Sequence, residues 1–165
     1  MITLTLPDGS TRDVEAPLTG AEFAASISNS LAKKALALKL DGVLVDLATE
    51  IDRDCELAVI TADDEEGVEL MRHDCAHVMA QAVQELFPDT QVTIGPVIED
   101  GFFYDFARET PFSLDDLETI EKRMRDIVER NEPIVREVWQ RDEAIAHFRE
   151  IGEIYKAEII ADIPG

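Results

Sequence analysis

The chain has 165 residues, of which 36 are aspartate or glutamate and 15 are lysine or arginine, so its formal net charge is -21. Hydrophobic residues make up 45% of the chain, which excludes a disordered acidic tail and fits one ordinary domain or two small ones. The charge argues against nucleic-acid binding by simple electrostatic attraction, because that affinity comes mainly from lysine and arginine side chains that release counterions.

Two further classes of protein are disfavoured. No apolar run approaches the roughly 18 residues of a membrane-spanning helix, and the start of the chain lacks the basic flank and long apolar stretch of a signal peptide. We therefore expect a cytoplasmic protein with no membrane partner. Cys55 and Cys75 could form one disulfide at most, and the lack of a secretory signal favours two free thiols.

The first 62 residues predict a small, β-rich domain. Apolar residues alternate with threonine in residues 2–6, and a turn sequence at residues 7–10 completes the signature of a β-hairpin. Thr19 and Glu22 form a capping-box pattern that starts one helix, whose apolar residues recur at a four-residue spacing as far as Leu31. Further strand-like segments lie at residues 37–40, 43–47 and 56–61. This order is typical of a β-grasp domain, in which a mixed sheet wraps one helix.

An acidic run, residues 63–67, follows this domain. Four carboxylates precede Gly67, so the run repels itself and ends in a residue that disfavours helix. Residues 1–62 carry 5 basic and 10 acidic side chains, whereas residues 63–165 carry 10 and 26. We therefore predict domains at residues 1–62 and 68–165, joined by an acidic linker.

The second domain, residues 68–165, is predicted to be α+β. Its composition favours a helix from residue 68 to residue 87, which Pro88 would stop. Strands with tight turns follow at residues 91–94, 97–98 and 102–106. The remaining pattern predicts helix, strand and helix, at residues 113–130, 134–139 and 141–153.

His73 and His77 are the strongest chemical feature of the sequence. On one helix, residues four apart share a face, so the two imidazoles could hold a metal, a water or a ligand together; an ordinary pair of histidines has the same spacing. A zinc protease is disfavoured because Asp74, not glutamate, follows the first histidine. A zinc site also needs a third protein ligand, and Cys75 points away from the shared face. No metal site is therefore predicted.

Two other features lie further along the chain. Gly95 and Gly101 allow tight turns and Tyr104 offers a hydroxyl at the end of an apolar strand, although a plain hairpin with an aromatic core face explains these residues as well. Lys156 could bind a phosphate or a carboxylate, but a single lysine at a solvated helix end gives the same pattern.

Several stretches resemble the N-terminal region of bacterial threonyl-tRNA synthetases. They span nearly the whole chain in the same order, at residues 2–10, 60–67, 72–77, 94–105 and 121–124. The most specific stretch is Ile94-Gly95-Pro96-Val97-Ile98-Glu99-Asp100-Gly101-Phe102-Phe103-Tyr104-Asp105. The histidine pair falls in the matching stretch Arg72-His73-Asp74-Cys75-Ala76-His77.

The resemblance implies a TGS domain, which is a ubiquitin-like β-grasp fold, followed by an α+β editing domain of the kind shared by threonyl- and alanyl-tRNA synthetases. Such enzymes attach threonine to its tRNA using ATP. Their editing domain hydrolyses serine wrongly attached to that tRNA, because a binding pocket alone rejects so close an analogue poorly. By this resemblance His73 and His77 are catalytic in editing, and Tyr104 and Lys156 line the pocket near the ester or the terminal adenosine.

The family pattern continues past the last residue of this chain. A Cys-Arg-Gly-Pro-His-like segment completes the editing pocket, and catalytic and anticodon-binding domains follow it. We therefore expect a fragment of a larger, homodimeric enzyme that by itself edits poorly, binds tRNA weakly and holds no cofactor. ATP, magnesium and zinc are expected only in the catalytic domain, and tRNA(Thr) is expected to bind through the full-length enzyme. The alternative is a non-catalytic binding or positioning module that acts through the TGS domain.

Overall fold

The amino-terminal hairpin expected from the sequence is present in the computed structural model, which describes residues 1–135 and 137–164. The chain divides into two units, Met1–Met71 and Arg72–Gly165. Each unit combines helices with largely antiparallel strands, so the predicted α+β class is confirmed.

The first unit is built on a mixed five-stranded sheet. The strands of the whole unit are β1 (Ile2–Thr5), β2 (Thr11–Val14), β3 (Leu18–Thr19), β4 (Ala35–Leu40), β5 (Val43–Val45), β6 (Glu50–Ile51) and β7 (Cys55–Thr61). Its helices are α1 (Gly20–Ile27) and α2 (Asn29–Lys34). The sheet order is β2-β1-β7-β4-β5, with β1 and β7 parallel, while β3 and β6 pair separately. Five core side chains are at most 2% exposed: Leu4, Phe23, Leu38, Ile51 and Leu57. Phe23 of α1 packs on the sheet, which confirms the β-grasp fold.

The prediction of one continuous helix as far as Leu31 is wrong at Ser28. This residue has extended backbone, with φ -167° and ψ 152°, and it separates α1 from α2. Its hydroxyl accepts a 3.0 Å hydrogen bond from the backbone N–H of Leu31. Serine therefore caps the second helix rather than continuing the first, a competition that the spacing of apolar residues does not reveal.

The acidic run was expected to be a linker, but helix α3 (Glu65–Leu86) begins within it. Asp64 accepts a 2.7 Å hydrogen bond from the backbone N–H of Thr61 and so closes the turn before the helix. The next two carboxylates, Glu65 and Glu66, occupy the first helical turn, where exposed amide groups stabilise negative charge. The helix-favouring position of these carboxylates outweighs their mutual repulsion.

Gly67 is a packing residue of this helix and not a helix breaker. It is buried, and a Cβ atom there would overlap the carbonyl oxygen of Thr61. The boundary between the two compact units falls after Met71, four residues beyond the predicted linker. The assignment of residues 1–62 and 68–165 as separate domains stays a prediction.

The second unit contains the rest of α3 and two short strand pairs. Its strands are β8 (Gln91–Val92), β9 (Val97–Ile98), β10 (Gly101–Phe102) and β11 (Phe106–Ala107), and its other helices are α4 (Leu114–Arg130), α5 (Arg141–Glu150) and α6 (Ile154–Asp162). Strand β8 pairs with β11, and β9 with β10. The predicted start of α4 is confirmed by a capping box between Ser113 and Asp116. Its core joins α3 to α4 through Ala82, Val83, Ile120 and Ile127.

The strand predicted at residues 134–139 is wrong for the five of these residues that the structure describes; Arg136 lies outside the described residues. Ile134 is 93% exposed and Val138 is 78% exposed. Their β-branched side chains favour extended backbone, but a strand needs a neighbour to bond, and none of the described strand pairings includes them.

The last predicted helix, residues 141–153, ends early. Helix α5 stops at Glu150, and Gly152 adopts a left-handed backbone with φ +82°. Glycine reaches this conformation without the steric cost that other residues meet, so it ends one helix and allows another to start. Helix α6, which carries Lys156, follows directly.

Cys55 is buried and Cys75 is exposed, and both are free thiols, as expected. Among the residues described, no helix is long and apolar enough to cross a membrane.

An ion-pair cluster joins α3 to α4. The two carboxylate oxygens of Glu85 accept hydrogen bonds from Arg130 at 2.7 and 2.8 Å, and Arg123 contacts one of them at 2.9 Å. These two guanidinium groups lower the pKa of Glu85 from 4.5 to about 2. The Glu85 side chain is only 26% exposed, so this cluster is better shielded from solvent than an ordinary surface pair.

We expect Glu85→Gln to lower the free energy of unfolding at pH 7 by about 1–2 kcal/mol. Because the folded-state pKa lies below the ordinary value, the carboxylate stabilises the fold above pH 4.5 and loses that effect as the pH falls towards 2. Urea denaturation from pH 7 to pH 2 measures the difference between the two proteins. A gap of constant size across that range would contradict the assignment.

Candidate functional site

The predicted histidine pair lies in the middle of α3, within the second unit. The Nε2 atoms of His73 and His77 are 2.9 Å apart, and the ring centroids are 4.6 Å apart at an interplanar angle of 74°. The expectation that both imidazoles share one helix face is therefore confirmed. At this distance one nitrogen donates a hydrogen bond and the other accepts it, so the two rings differ in where they carry their protons.

Three causes hold the pKa of His77 below its usual 6.5. Partial burial is the largest cause, repulsion by His73 is the next, and the ammonium group of Lys156 acts in the same direction, while Asp74 opposes them. His77 is therefore mostly uncharged at neutral pH and able to accept a proton. Lys156 is on α6, so its contribution comes from another helix of the same unit.

A carboxylate that the sequence analysis did not single out connects these elements. Glu153, directly before α6, accepts a hydrogen bond from the side-chain amide of Gln84 on α3. Its other carboxylate oxygen lies 3.4 Å from the ammonium nitrogen of Lys156. The Glu153 side chain is only 12% exposed, and that of Lys156 is 35% exposed. The lysine is thus held against the protein and is not a free helix end.

Tyr104 is partly buried in the same unit. Burial is the main cause that raises the pKa of its hydroxyl, and the charge of Glu153 raises it further. The ring stacks on Phe106 with centroids 5.0 Å apart and an interplanar angle of 18°. A Cβ atom at Gly95 would overlap the Tyr104 ring, so glycine is needed for this close approach. Tyr104 therefore remains a neutral hydrogen-bonding group at physiological pH.

The loop before Tyr104 is tied to the histidine helix. The guanidinium group of Arg72 donates a hydrogen bond to the carbonyl oxygen of Glu99 in the turn between β9 and β10. Arg72 directly precedes His73, so the start of the histidine face and the turn are fixed to each other. The motif stretches at residues 72–77 and 94–105, which are far apart in sequence, meet through this contact.

The four residues named from the sequence thus lie in one unit. Glu153 joins Lys156 on α6 to Gln84 on the histidine helix. Arg72 joins that helix to the turn before Tyr104. Their catalytic and binding roles stay predictions. Gln84 could have been found from its position, because it follows His77 by seven residues and so lies on the same helix face. No sequence pattern distinguishes Glu153 among so many acidic residues.

Across residues 1–135 and 137–164, no group of three or more histidine, cysteine, aspartate or glutamate side chains could hold a metal ion. The two imidazoles alone fall short of the three or four protein ligands of a zinc site.

Residues 2–61 match the family model of the TGS domain. The chain is 65% identical over 164 residues to a threonine–tRNA ligase of Parvibaculum lavamentivorans, which covers 99% of this chain and 25% of that protein. It is 63% identical over 163 residues to the threonine–tRNA ligase of Thiobacillus denitrificans, covering 99% and 26%, and 59% identical over 164 residues to that of Rhodospirillum rubrum, covering 99% and 26%. The chain spans about a quarter of the length of these relatives.

Proposed function

We propose that this chain, which carries a TGS domain and is similar along its whole length to the N-terminal region of threonine–tRNA ligases, forms that region of such an enzyme and contributes its editing site. The reaction is hydrolysis of the ester that joins serine to tRNA(Thr). The observation that carries this proposal is the close His73–His77 pair with Lys156 nearby, in a chain 65% identical to a threonine–tRNA ligase.

The proposed step is attack of water on the ester carbonyl carbon. Uncharged His77, with His73 against it, takes a proton from the water as the new C–O bond forms. The oxygen of the carbonyl becomes negative in the tetrahedral intermediate, and a nearby ammonium such as Lys156 would stabilise that charge. The ester C–O bond then breaks, and the proton passes to the ribose hydroxyl that leaves. The products are free serine and uncharged tRNA.

Two features of the second unit support this assignment. The lowered pKa of His77 keeps a base available at neutral pH, which ester hydrolysis by water requires. Tyr104 keeps its proton and can donate a hydrogen bond to the ester or to the terminal nucleoside.

The remaining activities of a threonine–tRNA ligase are proposed for the other three quarters of such an enzyme. These are the ATP-dependent attachment of threonine, with magnesium and zinc, and most of the contact with tRNA(Thr). The charge of -21 supports this division, because a chain so acidic binds phosphate poorly by itself. We place the enzyme in the cytoplasm and expect it to be a homodimer.

The test is hydrolysis of seryl-tRNA(Thr) by a ligase in which this chain replaces the matching quarter of the Parvibaculum lavamentivorans enzyme. We expect the double variant His73→Ala, His77→Ala to release serine about 100-fold more slowly, because it lacks the proposed base. Attachment of threonine should continue at its usual rate. Since the pKa of His77 is lowered, the hydrolysis rate of the unchanged protein should decline only below pH 6.5.

The matched control is Cys75→Ala, an exposed residue of the same helix whose side chain lies off the histidine face. It should hydrolyse seryl-tRNA(Thr) at the unchanged rate. Equal rates for the double histidine variant and this control would rule out the proposed role. The isolated chain is assayed in parallel, and we expect it to be much slower than the ligase.

A second candidate function is a positioning module that acts through the TGS domain. The observation that favours it is the self-contained core of the first unit, in which residues 2–61 match the family model of the TGS domain. In this case removing residues 1–62 from the ligase would alter editing or threonine attachment, while the double histidine variant would alter neither.

A further inference from the structure

Glu153 is a largely buried carboxylate that takes no part in the proposed ester hydrolysis. Its side chain is 12% exposed and precedes α6, which carries Lys156. One of its oxygens accepts the hydrogen bond from Gln84, and the other faces the ammonium of Lys156 at 3.4 Å. A carboxylate this far from water needs such partners to offset its lost hydration.

The two partners of Glu153 lie on the two elements that form the site. Gln84 is two helical turns after His77 on the same face of α3. Lys156 is on α6, with its ammonium nitrogen also 5.7 Å from the centroid of the Phe148 ring. The Glu153 carboxylate therefore links helix α3, which carries the two histidines, to Lys156 on α6.

The ion pair is the main contact of the second oxygen. Within the part of the chain that the structure describes, Oε2 of Glu153 is buried and accepts no hydrogen bond of good geometry. Its partner Lys156 is 35% exposed, and lysine has a long, flexible stem that solvent readily draws outward. Without an anchor the ammonium group would spend more of its time in water.

We propose that Glu153 is a positioning residue that, through Gln84, holds the ammonium group of Lys156 beside the His73–His77 face. The inference rests on the proposed function for its purpose, because the same ammonium group is the one expected to stabilise the negative carbonyl oxygen during ester hydrolysis. Glu153 does not touch the reacting atoms; it fixes the position of a group that does.

The charges around the histidine face determine what a test should measure. His77 is influenced by His73 and Asp74 on its own helix and by Lys156 on α6, and Glu153 and the Phe148 ring face Lys156. If Glu153 holds the lysine in place, releasing the lysine removes one of the repulsions that act on protonated His77. Protonation of His77 then becomes easier.

The experiment is an NMR titration of the imidazole resonances in the purified 165-residue chain, which contains only three histidines. We expect Glu153→Gln to raise the apparent pKa of His77 by about 0.3 pH unit, in the same direction as Lys156→Met. In the Lys156→Met background, Glu153→Gln should cause no further rise, since there is no ammonium group left to release. The control Glu158→Gln removes an exposed carboxylate from the same helix and should leave the titration unchanged.

Each other outcome overturns the proposal. An unchanged His77 titration in Glu153→Gln means that the carboxylate does not hold the lysine. A fall in the pKa of His77 means that Lys156 stays in place without Glu153, and that the carboxylate only neutralises its charge. If Glu153→Gln does not fold, Gln84→Met, which removes the hydrogen bond that anchors Glu153, is titrated in its place, and an unchanged His77 titration in that variant overturns the proposal. The titration needs no tRNA. If the ligase failed to release serine, the proposed function would be wrong, but the titration result for Glu153 and Lys156 would still stand.

Discussion

Replacing Phe23 by alanine should lower the free energy of unfolding of the first unit by about 3–5 kcal/mol. The ring is completely buried between α1 and the sheet, against Leu4, Leu38 and Leu57. Alanine would remove this buried apolar surface and leave a cavity that the surrounding strands close only in part. Amide hydrogen exchange in β1 and β7 measures the stability of this unit separately from the second.

The control for this substitution is Val43→Ala. Val43 is in β5 of the same sheet but is 64% exposed, so its truncation should cost well under about 1 kcal/mol. If exchange in the two variants were equally fast, Phe23 would not be the centre of this core. That result would also remove the basis for placing α1 against the sheet.

Replacing Gly67 by alanine should destabilise the first unit by about 3 kcal/mol, the upper end of the usual cost of overpacking. The new Cβ would overlap the carbonyl oxygen of Thr61, a backbone atom at the end of β7 that also accepts a 3.1 Å hydrogen bond from the N–H of Asp64. The new Cβ and the carbonyl oxygen are both fixed by the backbone, so neither can move aside as the end of a flexible side chain could. Urea denaturation followed by circular dichroism measures the loss.

The sign of this effect separates two interpretations of the acidic run. In a solvent-exposed helix, changing glycine to alanine stabilises by about 1 kcal/mol, and in a flexible linker it changes little. A gain in stability for Gly67→Ala would therefore show that the turn from β7 into α3 is not packed as described. Glu69→Ala, at an exposed position of the same helix, should be nearly neutral.

The fold could be predicted wherever local pattern and tertiary packing agree. The hairpin of β1 and β2, the capping boxes at Thr19 and Ser113 and the long helix α3 all follow from residues that lie close together in sequence. The errors arise where a single residue competes with the pattern. Ser28 caps a helix where apolar spacing predicts continuity, and Gly67 packs against a strand where composition predicts a break.

The candidate site likewise contains residues that local sequence could predict and residues that it could not. A spacing of four residues on a helix is enough to place His73 and His77 on one face, as the 2.9 Å contact confirms. Tyr104 and Lys156 could be named from their chemistry, but only the family resemblance favoured a role in the site over a plain hairpin or a solvated helix end, because their neighbours come from other elements. Glu153 could not be named at all. Its importance arises from burial and from contacts with Gln84 and Lys156, and neither is visible in a sequence with 36 acidic residues.

The contact between the two imidazole nitrogens also limits how many protons the two rings can carry together. Two imidazolium ions cannot keep their Nε2–H groups 2.9 Å apart, because both atoms would be donors carrying like charge. The observed contact therefore requires one nitrogen to donate and the other to accept, so each ring constrains the protonation of its partner. Replacing one histidine then does more than delete one ring: it also removes the hydrogen-bond partner of the other ring, so two single variants do not report two independent roles.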